Sequence, residues 1–156
     1  MQPRIFRKEA LWIAGVTGDG ADTGGVWADF DTRYPVLPFD KAEAEGYEIR
    51  FWDGSVAVAR GADVHVGFAV AAETVVGEFT TVVLPATVYT SFDVRVADGY
   101  DSGNAEMDRW LETHADTYRL RELNGVRFVV ECYDERFKGG NQPDSIVEIW
   151  LPLEEI

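Results

Sequence analysis

Two stretches of the chain predict the same order of elements: one strand, one helix, and two strands that form a hairpin. The first covers about residues 11–75 and the second about residues 79–154. A repeated order of this kind indicates an internal duplication. Because no Pro- or Ser-rich linker separates the units, the pattern predicts a single α+β domain over residues 1–156. Antiparallel sheets, two main helices and a ligand cleft between the halves are the expected architecture.

The first unit contains one predicted helix. Trp27, Phe30 and Tyr34 recur at spacings of three and four residues, and Pro35 ends the pattern. Short apolar or alternating runs on either side of this helix predict strands. These strands cover residues 11–16, 47–52 and 62–70, and Asp53 and Gly54 supply the turn after the second of them.

The second unit repeats this order. A β-branched run from Phe79 to Val96 predicts strand, and Pro85 marks a bend within it. A helix is predicted from Asn104, its expected N-cap, to about Tyr118. Two strands close the unit, over residues 126–135 and 145–153, and a turn-rich segment at residues 138–143 joins them.

Each closing strand alternates between an apolar face and a face that carries a glutamate and an aromatic side chain. Pairing of the two strands predicts that Glu131 and Glu148 share a face, flanked by Tyr133 and Trp150. The apolar faces, expected to enter the core, comprise Phe128, Val130 and Cys132 in the first strand and Val147, Ile149, Leu151 and Leu153 in the second.

Two interpretations of Glu131 and Glu148 stay open. In the first, a carboxyl group lies among aromatic rings, where burial and a neighbouring like charge raise its pKa. Such a group suits acid–base chemistry or recognition of a cation. In the second, both are ordinary strand residues that face water or pair with Arg127 or Arg136. An ordinary solvent face carries Lys, Thr and Ser more often than the Tyr and Trp found here.

The charge balance excludes polyanionic partners. The chain has 28 Asp and Glu against 14 Lys and Arg, a net charge of −14 with His neutral. Such a chain repels phosphate backbones and anionic lipids, so neither nucleic-acid binding nor membrane binding is predicted. The longest wholly apolar stretch, residues 66–72, is far shorter than the roughly 20 residues that span a bilayer.

The cysteine and histidine content predicts neither a metal site nor a cofactor. Cys132 is the one cysteine of the sequence, so no intramolecular disulfide can form and a reducing, cytoplasmic compartment is expected. Its place on the apolar face is typical of an inert, packed thiol. His65 and His114 are far apart in sequence and lack neighbouring ligand residues.

The closing strands resemble those of a known family. Residues 128–137 (FVVECYDERF), a Gly-rich turn and residues 144–153 (DSIVEIWLPL) are similar to the end of the gyrase-inhibitor-like (GyrI-like) small-molecule-binding family. This family includes the effector-binding domains of AraC-type and MerR-type multidrug regulators. Weaker similarities follow in the same order upstream, so the resemblance covers most of the chain; they lie at residues 14–16, 27–30 and 64–70 and at Trp110.

This resemblance implies a duplicated strand-helix-strand-strand fold whose cleft receives hydrophobic, often cationic compounds. Glu131 matches the family's central acidic position, and Glu148 matches a second common acidic position. Three residues match aromatic wall positions of the family, namely Trp27, Trp110 and Tyr133, and the face that carries Glu148 adds Trp150 as an expected ligand contact.

Three functions stay open. Regulators of this type carry a helix-turn-helix DNA-binding region that is not found in this sequence, so a free-standing binder of amphipathic, cationic compounds is expected first. The alternative is a hydrolase, because some free-standing members open the cyclopropane ring of DNA-alkylating compounds. Glu131 and Glu148 would then supply the acid and the base. The third is a module whose cleft binds a side chain of a separate protein partner.

Overall fold

The computed structural model describes residues 3–33, 38–53, 56–57 and 62–156. Within these residues, eleven strands form one antiparallel sheet with two α-helices, α1 (Thr23–Arg33) and α2 (Asp101–Thr113). The strands are β1 (Arg4–Lys8), β2 (Leu11–Gly18), β3 (Gly46–Asp53), β4 (Val56–Ala57), β5 (Val64–Val70), β6 (Thr80–Leu84), β7 (Thr87–Arg95), β8 (Tyr118–Leu120), β9 (Glu122–Leu123), β10 (Val126–Tyr133) and β11 (Ile146–Glu155).

The strand order shows how the two units join. Along the sheet the order is β1-β7-β11-β10-β3-β5-β2-β6, and β4, β8 and β9 pair with β3, β11 and β10 outside this path. The first unit supplies β2, α1, β3 and β5, the second supplies β7, α2, β10 and β11, and β3 pairs with β10 at the junction. The predicted α+β fold with duplicated units is confirmed. Unit boundaries at about residues 11–75 and 79–154 stay a prediction.

One face of the sheet encloses the larger apolar core. Leu11 and Leu84 belong to the same buried cluster as Tyr89 and Trp150, although their strands lie far apart in the strand order. The sheet therefore curls around this cluster. The predicted core face of β10 is confirmed, because the same cluster contains Phe128, Val130 and Cys132.

The opposite face carries both helices. α1 packs on β2 and β5 through Val26 and Phe30, and α2 packs on β7 and β11 around Met107. The apolar face of β11 is buried beneath α2, so the apolar faces of β10 and β11 lie on opposite sides of the sheet. With 11 and 13 residues, neither of these described helices is long and apolar enough to cross a membrane.

Several local predictions differ from the structure. Asn104 is not the N-cap of α2, because the helix begins at Asp101 and the Asn104 amide already donates to the Tyr100 carbonyl oxygen, 2.8 Å away. The earlier start places a carboxylate in the first turn, where it favours the positive end of the helix dipole. Tyr118 lies in β8 rather than in α2. The sequence did not predict β1, β4, β8 and β9, which are too short or too charged to show alternation. Tyr34, Pro35 and Gly54 lie outside the described residues.

Candidate ligand-binding cleft

A cleft of about 1170 Å³ lies between α1 and α2, above the central β3–β10 pair. It is slightly larger than most small-molecule sites, which have volumes of about 300–1,000 Å³. Aliphatic side chains from α2 and β11 line part of it, including Met107, Leu111, Ile149 and Leu151. The aromatic residues that line it are Trp27, Trp52, Phe68, Tyr100, Tyr133 and Phe137.

Two glutamates face each other at the bottom of this cleft. Glu48 of β3 and Glu131 of β10 are direct partners across the strand pair, so their side chains lie on the same face of the sheet. Only 1% of Glu48 and 6% of Glu131 is exposed. Two buried carboxyl groups this close together require hydrogen-bond donors or a cation, because burying an uncompensated charge is very costly.

The required donors come from three other residues of the cleft. The Arg50 Nε donates to Oε2 of Glu48 (2.9 Å) and to Oε2 of Glu131 (3.0 Å). The Trp27 indole Nε1 donates to Oε1 of Glu48 (2.7 Å), and the Tyr133 hydroxyl donates to Oε1 of Glu131 (3.1 Å). Each of the four carboxyl oxygens therefore has a hydrogen-bond partner. We call these five residues the cleft cluster.

The cleft cluster changes the protonation of its members. Burial and the facing Glu48 carboxylate raise the pKa of Glu131 to about 8, although Arg50 acts in the opposite direction. Burial lowers the pKa of Arg50, but the two glutamates outweigh it and raise the pKa overall. Burial and the field of the same two glutamates raise the pKa of Tyr100. Glu131 therefore holds its proton to a higher pH than an ordinary glutamate does.

The aromatic rings meet edge to face and form a continuous wall. The Trp27 ring lies 5.5 Å from the Tyr133 ring at an interplanar angle of 77°, and the Tyr133 ring lies 4.8 Å from the Phe137 ring at 82°. On the β5 side, the Lys41 Nζ lies 4.3 Å from the centre of the Phe68 ring. These ring faces and edges offer sites for flat apolar groups and for cations.

Acidic residues predominate among the charged groups of the cleft. Asp31 lies on α1, Asp108 on α2 and Asp134 just beyond β10, in addition to Glu48 and Glu131 at the bottom. Among the described residues that line the cleft, the one basic side chain is Arg50. This charge distribution favours a positively charged ligand over a negatively charged one.

The structure brings together three of the six predicted site residues. Glu131, Tyr133 and Trp27 line the cleft and contact one another or Glu48 directly. Trp110 of α2 lies outside the lining, because its ring stacks on His114 at 4.0 Å and packs against the core beneath the helix. The ligand-binding roles assigned from the sequence stay predictions.

The predicted common face of Glu131 and Glu148 is wrong. The register of the hairpin pairs Glu131 with Ile149 and Cys132 with Glu148. Glu148 and Trp150 therefore lie on the enclosed face of the sheet, opposite the cleft, and Trp150 is part of the larger core. The prediction failed because a change of one residue in register moves every side chain of a strand to the other face.

Glu148 belongs to a separate group of charges, which we call the opposite-face cluster. Its Oε1 accepts from Arg4 Nη2 (2.7 Å) and from Trp150 Nε1 (2.8 Å), and its Oε2 accepts from Arg136 Nη2 (2.5 Å). Arg136 also forms ion pairs with Asp93 and Asp134. The pairing of Glu148 with Arg136, the open alternative from the sequence, is confirmed for this residue.

Glu48 and Arg50 were not predicted from the sequence, although both carry a signal. In β3, the residues Tyr47, Ile49 and Phe51 alternate with Gly46, Glu48, Arg50 and Trp52, so one face is apolar and the other charged. What could not be read locally is that β3 pairs with β10, a strand from the other half of the chain.

The remaining candidate residues, Cys132 and His65, are buried in the interior of the protein. Cys132 is buried in the larger core, and burial raises the pKa of its thiol to about 12, so it is a poor nucleophile. His65 is buried between Thr17 Oγ1 (2.8 Å) and the Ile13 carbonyl oxygen (2.9 Å). In the described part of the chain, no group of three or more His, Cys, Asp or Glu side chains is placed to hold a metal ion.

Comparison with solved structures finds the same fold in proteins of low sequence identity. SAV2435, solved with tetraphenylphosphonium, is 15% identical with a TM-score of 0.61, over 99% of this chain and 94% of that one. The C-terminal domain of EcmrR is 13% identical with a TM-score of 0.66, over 99% and 98% of the two chains. A hydrolase from Listeria innocua is 13% identical with a TM-score of 0.54, over 98% and 92%.

No protein-family model and no curated protein sequence matches the chain. The chain nevertheless has the GyrI-like fold, which it shares with the C-terminal domain of EcmrR. In the EcmrR–DNA complex, the corresponding region is 58% of the EcmrR chain. The resemblance recognised in the sequence is thus confirmed at the level of the fold.

Proposed function

We propose that this protein binds amphipathic, cationic small molecules in the cleft, with Glu131 as the main partner of the ligand's positive charge. The observation that carries this proposal is the position of Glu131, buried beside Glu48 at the bottom of an aromatic-walled cleft. An incoming cation stabilises the ionised form of Glu131, and the surrounding rings contribute cation–π and apolar contacts.

The size and charge of the cleft support the same ligand class. A volume of about 1170 Å³ accommodates a compound with several aromatic rings. Asp31 and Asp108, on the two helices that border the cleft, attract cations before they reach the bottom. SAV2435, which has the same fold, is known with the lipophilic cation tetraphenylphosphonium, and this gives the proposal a chemical precedent.

The test compares a cation with an uncharged compound of the same shape. Methyltriphenylphosphonium and methyltriphenylsilane differ mainly in charge, and their binding can be followed through the fluorescence of Trp27 and Trp52, which line the cleft. We expect Glu131→Gln to weaken phosphonium binding about tenfold, a loss of about 1.4 kcal/mol, and to leave silane binding within about twofold.

Glu148→Gln is the matched control. It makes the same substitution on the neighbouring strand, at a residue that is also buried, but on the other face of the sheet. Phosphonium binding by this variant is expected to stay within about twofold of wild type once folding is verified. Equal binding by wild type and Glu131→Gln would show that Glu131 is not the charge partner.

A second candidate function is hydrolysis of reactive aromatic electrophiles in the same cleft. It is favoured by the raised pKa of one carboxyl group, that of Glu131, directly opposite a second carboxyl group, Glu48. Glu48 replaces Glu148 in this hypothesis. Glu48 would accept a proton from water as the water oxygen attacks a cyclopropane carbon. Glu131 would give its proton to the group that receives the electron pair of the broken bond.

Single-turnover product analysis separates the two candidates. Stoichiometric protein is mixed with a cyclopropane-containing aromatic electrophile, and the ring-opened hydration product is measured for wild type, Glu48→Gln and Glu131→Gln. Product from wild type and at least about a hundredfold less from both variants would favour hydrolysis. No product from wild type would leave the binding function as the proposal. If the protein neither binds the phosphonium nor converts the electrophile, the protein-partner hypothesis is favoured.

A further inference from the structure

A positive charge already occupies the bottom of the cleft. The Arg50 Nε lies between the two glutamates and bonds to an oxygen of each, at 2.9 and 3.0 Å. The other oxygen of each glutamate accepts from Trp27 or Tyr133. A ligand's cation therefore approaches carboxyl groups that have both a resident counter-ion and a complete set of hydrogen bonds.

Arg50 is also placed where a ligand can displace it from the two carboxyl groups. Its side chain is 39% exposed and lines the cleft, whereas the side chains of Glu48 and Glu131 are almost fully buried. Beyond the two glutamates, its Nη2 donates to Thr23 Oγ1 of α1 at 2.7 Å. The guanidinium group thus lies between the carboxyl groups and the open volume, in the region that the charged centre of a ligand has to approach.

We propose that Arg50 is a resident counter-ion that competes with the ligand's cation, and so sets how strongly the cleft prefers a cation over an uncharged compound of the same shape. This inference rests on the proposed binding function. In wild type, the guanidinium cancels part of the negative charge of Glu48 and Glu131, and apolar contacts supply most of the affinity. Without it, the same carboxyl groups attract an external cation more strongly.

The test replaces Arg50 with residues that remove or keep its charge. Arg50→Met is expected to raise the affinity for methyltriphenylphosphonium about tenfold and to leave methyltriphenylsilane within about twofold. Arg50→Lys keeps the charge and is expected to bind the phosphonium within about threefold of wild type. Arg4→Gln removes a positive charge from the opposite-face cluster and is expected to change neither affinity by more than about twofold.

Removal of Arg50 leaves two buried carboxyl groups without a cation, so thermal unfolding of each variant is measured first. If Arg50→Met does not fold, Arg50→Gln takes its place, because its amide can donate to one carboxyl group without carrying charge. We expect the same rise in phosphonium affinity from this variant.

The direction of the change in phosphonium affinity decides whether Arg50 competes with the ligand. Unchanged or weaker phosphonium binding by the charge-removing variant would overturn the role of Arg50, and equal gains for phosphonium and silane would show a change of shape rather than of charge. Both results leave the proposed function intact if Glu131→Gln still weakens phosphonium binding. Failure of wild type to bind either compound would instead reject the proposed function itself.

Discussion

The two faces of the β10–β11 hairpin each carry buried glutamate paired with arginine, and the clusters differ in the number of arginines per glutamate. In the cleft cluster, Glu48 and Glu131 share one guanidinium group, that of Arg50. In the opposite-face cluster, Glu148 receives two guanidinium groups, from Arg4 and Arg136. In the first cluster, two glutamates share one guanidinium group, whereas in the second, one glutamate has two guanidinium partners.

Under the proposed function, this difference distinguishes a binding site from a structural ion pair. The excess acid of the cleft cluster lies beneath a cleft of about 1170 Å³ with aromatic walls. The opposite-face cluster borders a cavity of about 470 Å³ in which Arg4 and Arg136 already neutralise Glu148. A cation gains from the first cluster and finds no unpaired charge on Glu148 in the second. Buried glutamate therefore indicates a cation site only where fewer arginines than glutamates form the ion pairs.

The largest expected effect is on folding stability. Glu148→Gln removes the charge partner of Arg4 and Arg136 and weakens the acceptor of the buried Trp150 Nε1. We expect it to lower the free energy of unfolding by about 2 kcal/mol, a value reduced because both arginines are partly exposed. Glu131→Gln is expected to cost less than about 1 kcal/mol at neutral pH, since the raised pKa of Glu131 means that its ionised form is already disfavoured in the folded protein.

Chemical denaturation of both variants at neutral pH measures this contrast. Their denaturant slopes must match that of wild type for the free energies to be compared. A larger loss for Glu131→Gln than for Glu148→Gln would mean that the cleft cluster is the structural ion pair, and the distinction between the clusters would be reversed.

The next effect is the pH dependence of cation binding. Glu131 has its pKa raised to about 8, and a cation favours its ionised form, so binding releases a proton. The affinity for methyltriphenylphosphonium is therefore expected to rise with pH by about tenfold from pH 7 to pH 9, with most of the change below the pKa. Methyltriphenylsilane is expected to show no such rise.

Titrations of the two glutamate variants locate the source of this dependence. Glu131→Gln should show a flat profile for the phosphonium, while Glu148→Gln should keep the wild-type slope. Calorimetry in buffers of different ionisation enthalpy measures the proton release directly. A profile that remains steep in Glu131→Gln would assign the titration to another group that lines the cleft.

The clusters also show what the sequence could predict. The period-two pattern of β10 correctly separated Phe128 and Val130, which enter the core, from Glu131 and Tyr133, which face the cleft. Helical spacing likewise placed Trp27 on α1, and the resemblance to a family predicted the fold as a whole. Each of these predictions rests on local periodicity or on a motif that the chain itself carries.

The errors concern relations between strands. The twelve residues 134–145 between β10 and β11 do not determine whether Glu148 faces the cleft or the core, because adding or removing one residue reverses its face. Glu48 and Arg50 enter the site only because β3 pairs with β10 from the other unit. Alternation identifies the two faces of each strand, but long-range pairing and register decide which faces meet.

The smallest expected effect separates the two tryptophans that the sequence assigned to the same wall. Trp27 lines the cleft, whereas Trp110 stacks on His114 beneath α2. Trp27→Leu keeps an apolar side chain but removes both the π face and the hydrogen-bond donor to Glu48. We expect it to weaken phosphonium binding about threefold while silane binding stays within about twofold. Trp110→Leu is the control and is expected to leave both affinities unchanged.

If Trp110→Leu weakened phosphonium binding selectively and Trp27→Leu did not, the cation would be held on the α2 side of the cleft. Glu131 would then act on it only at a distance.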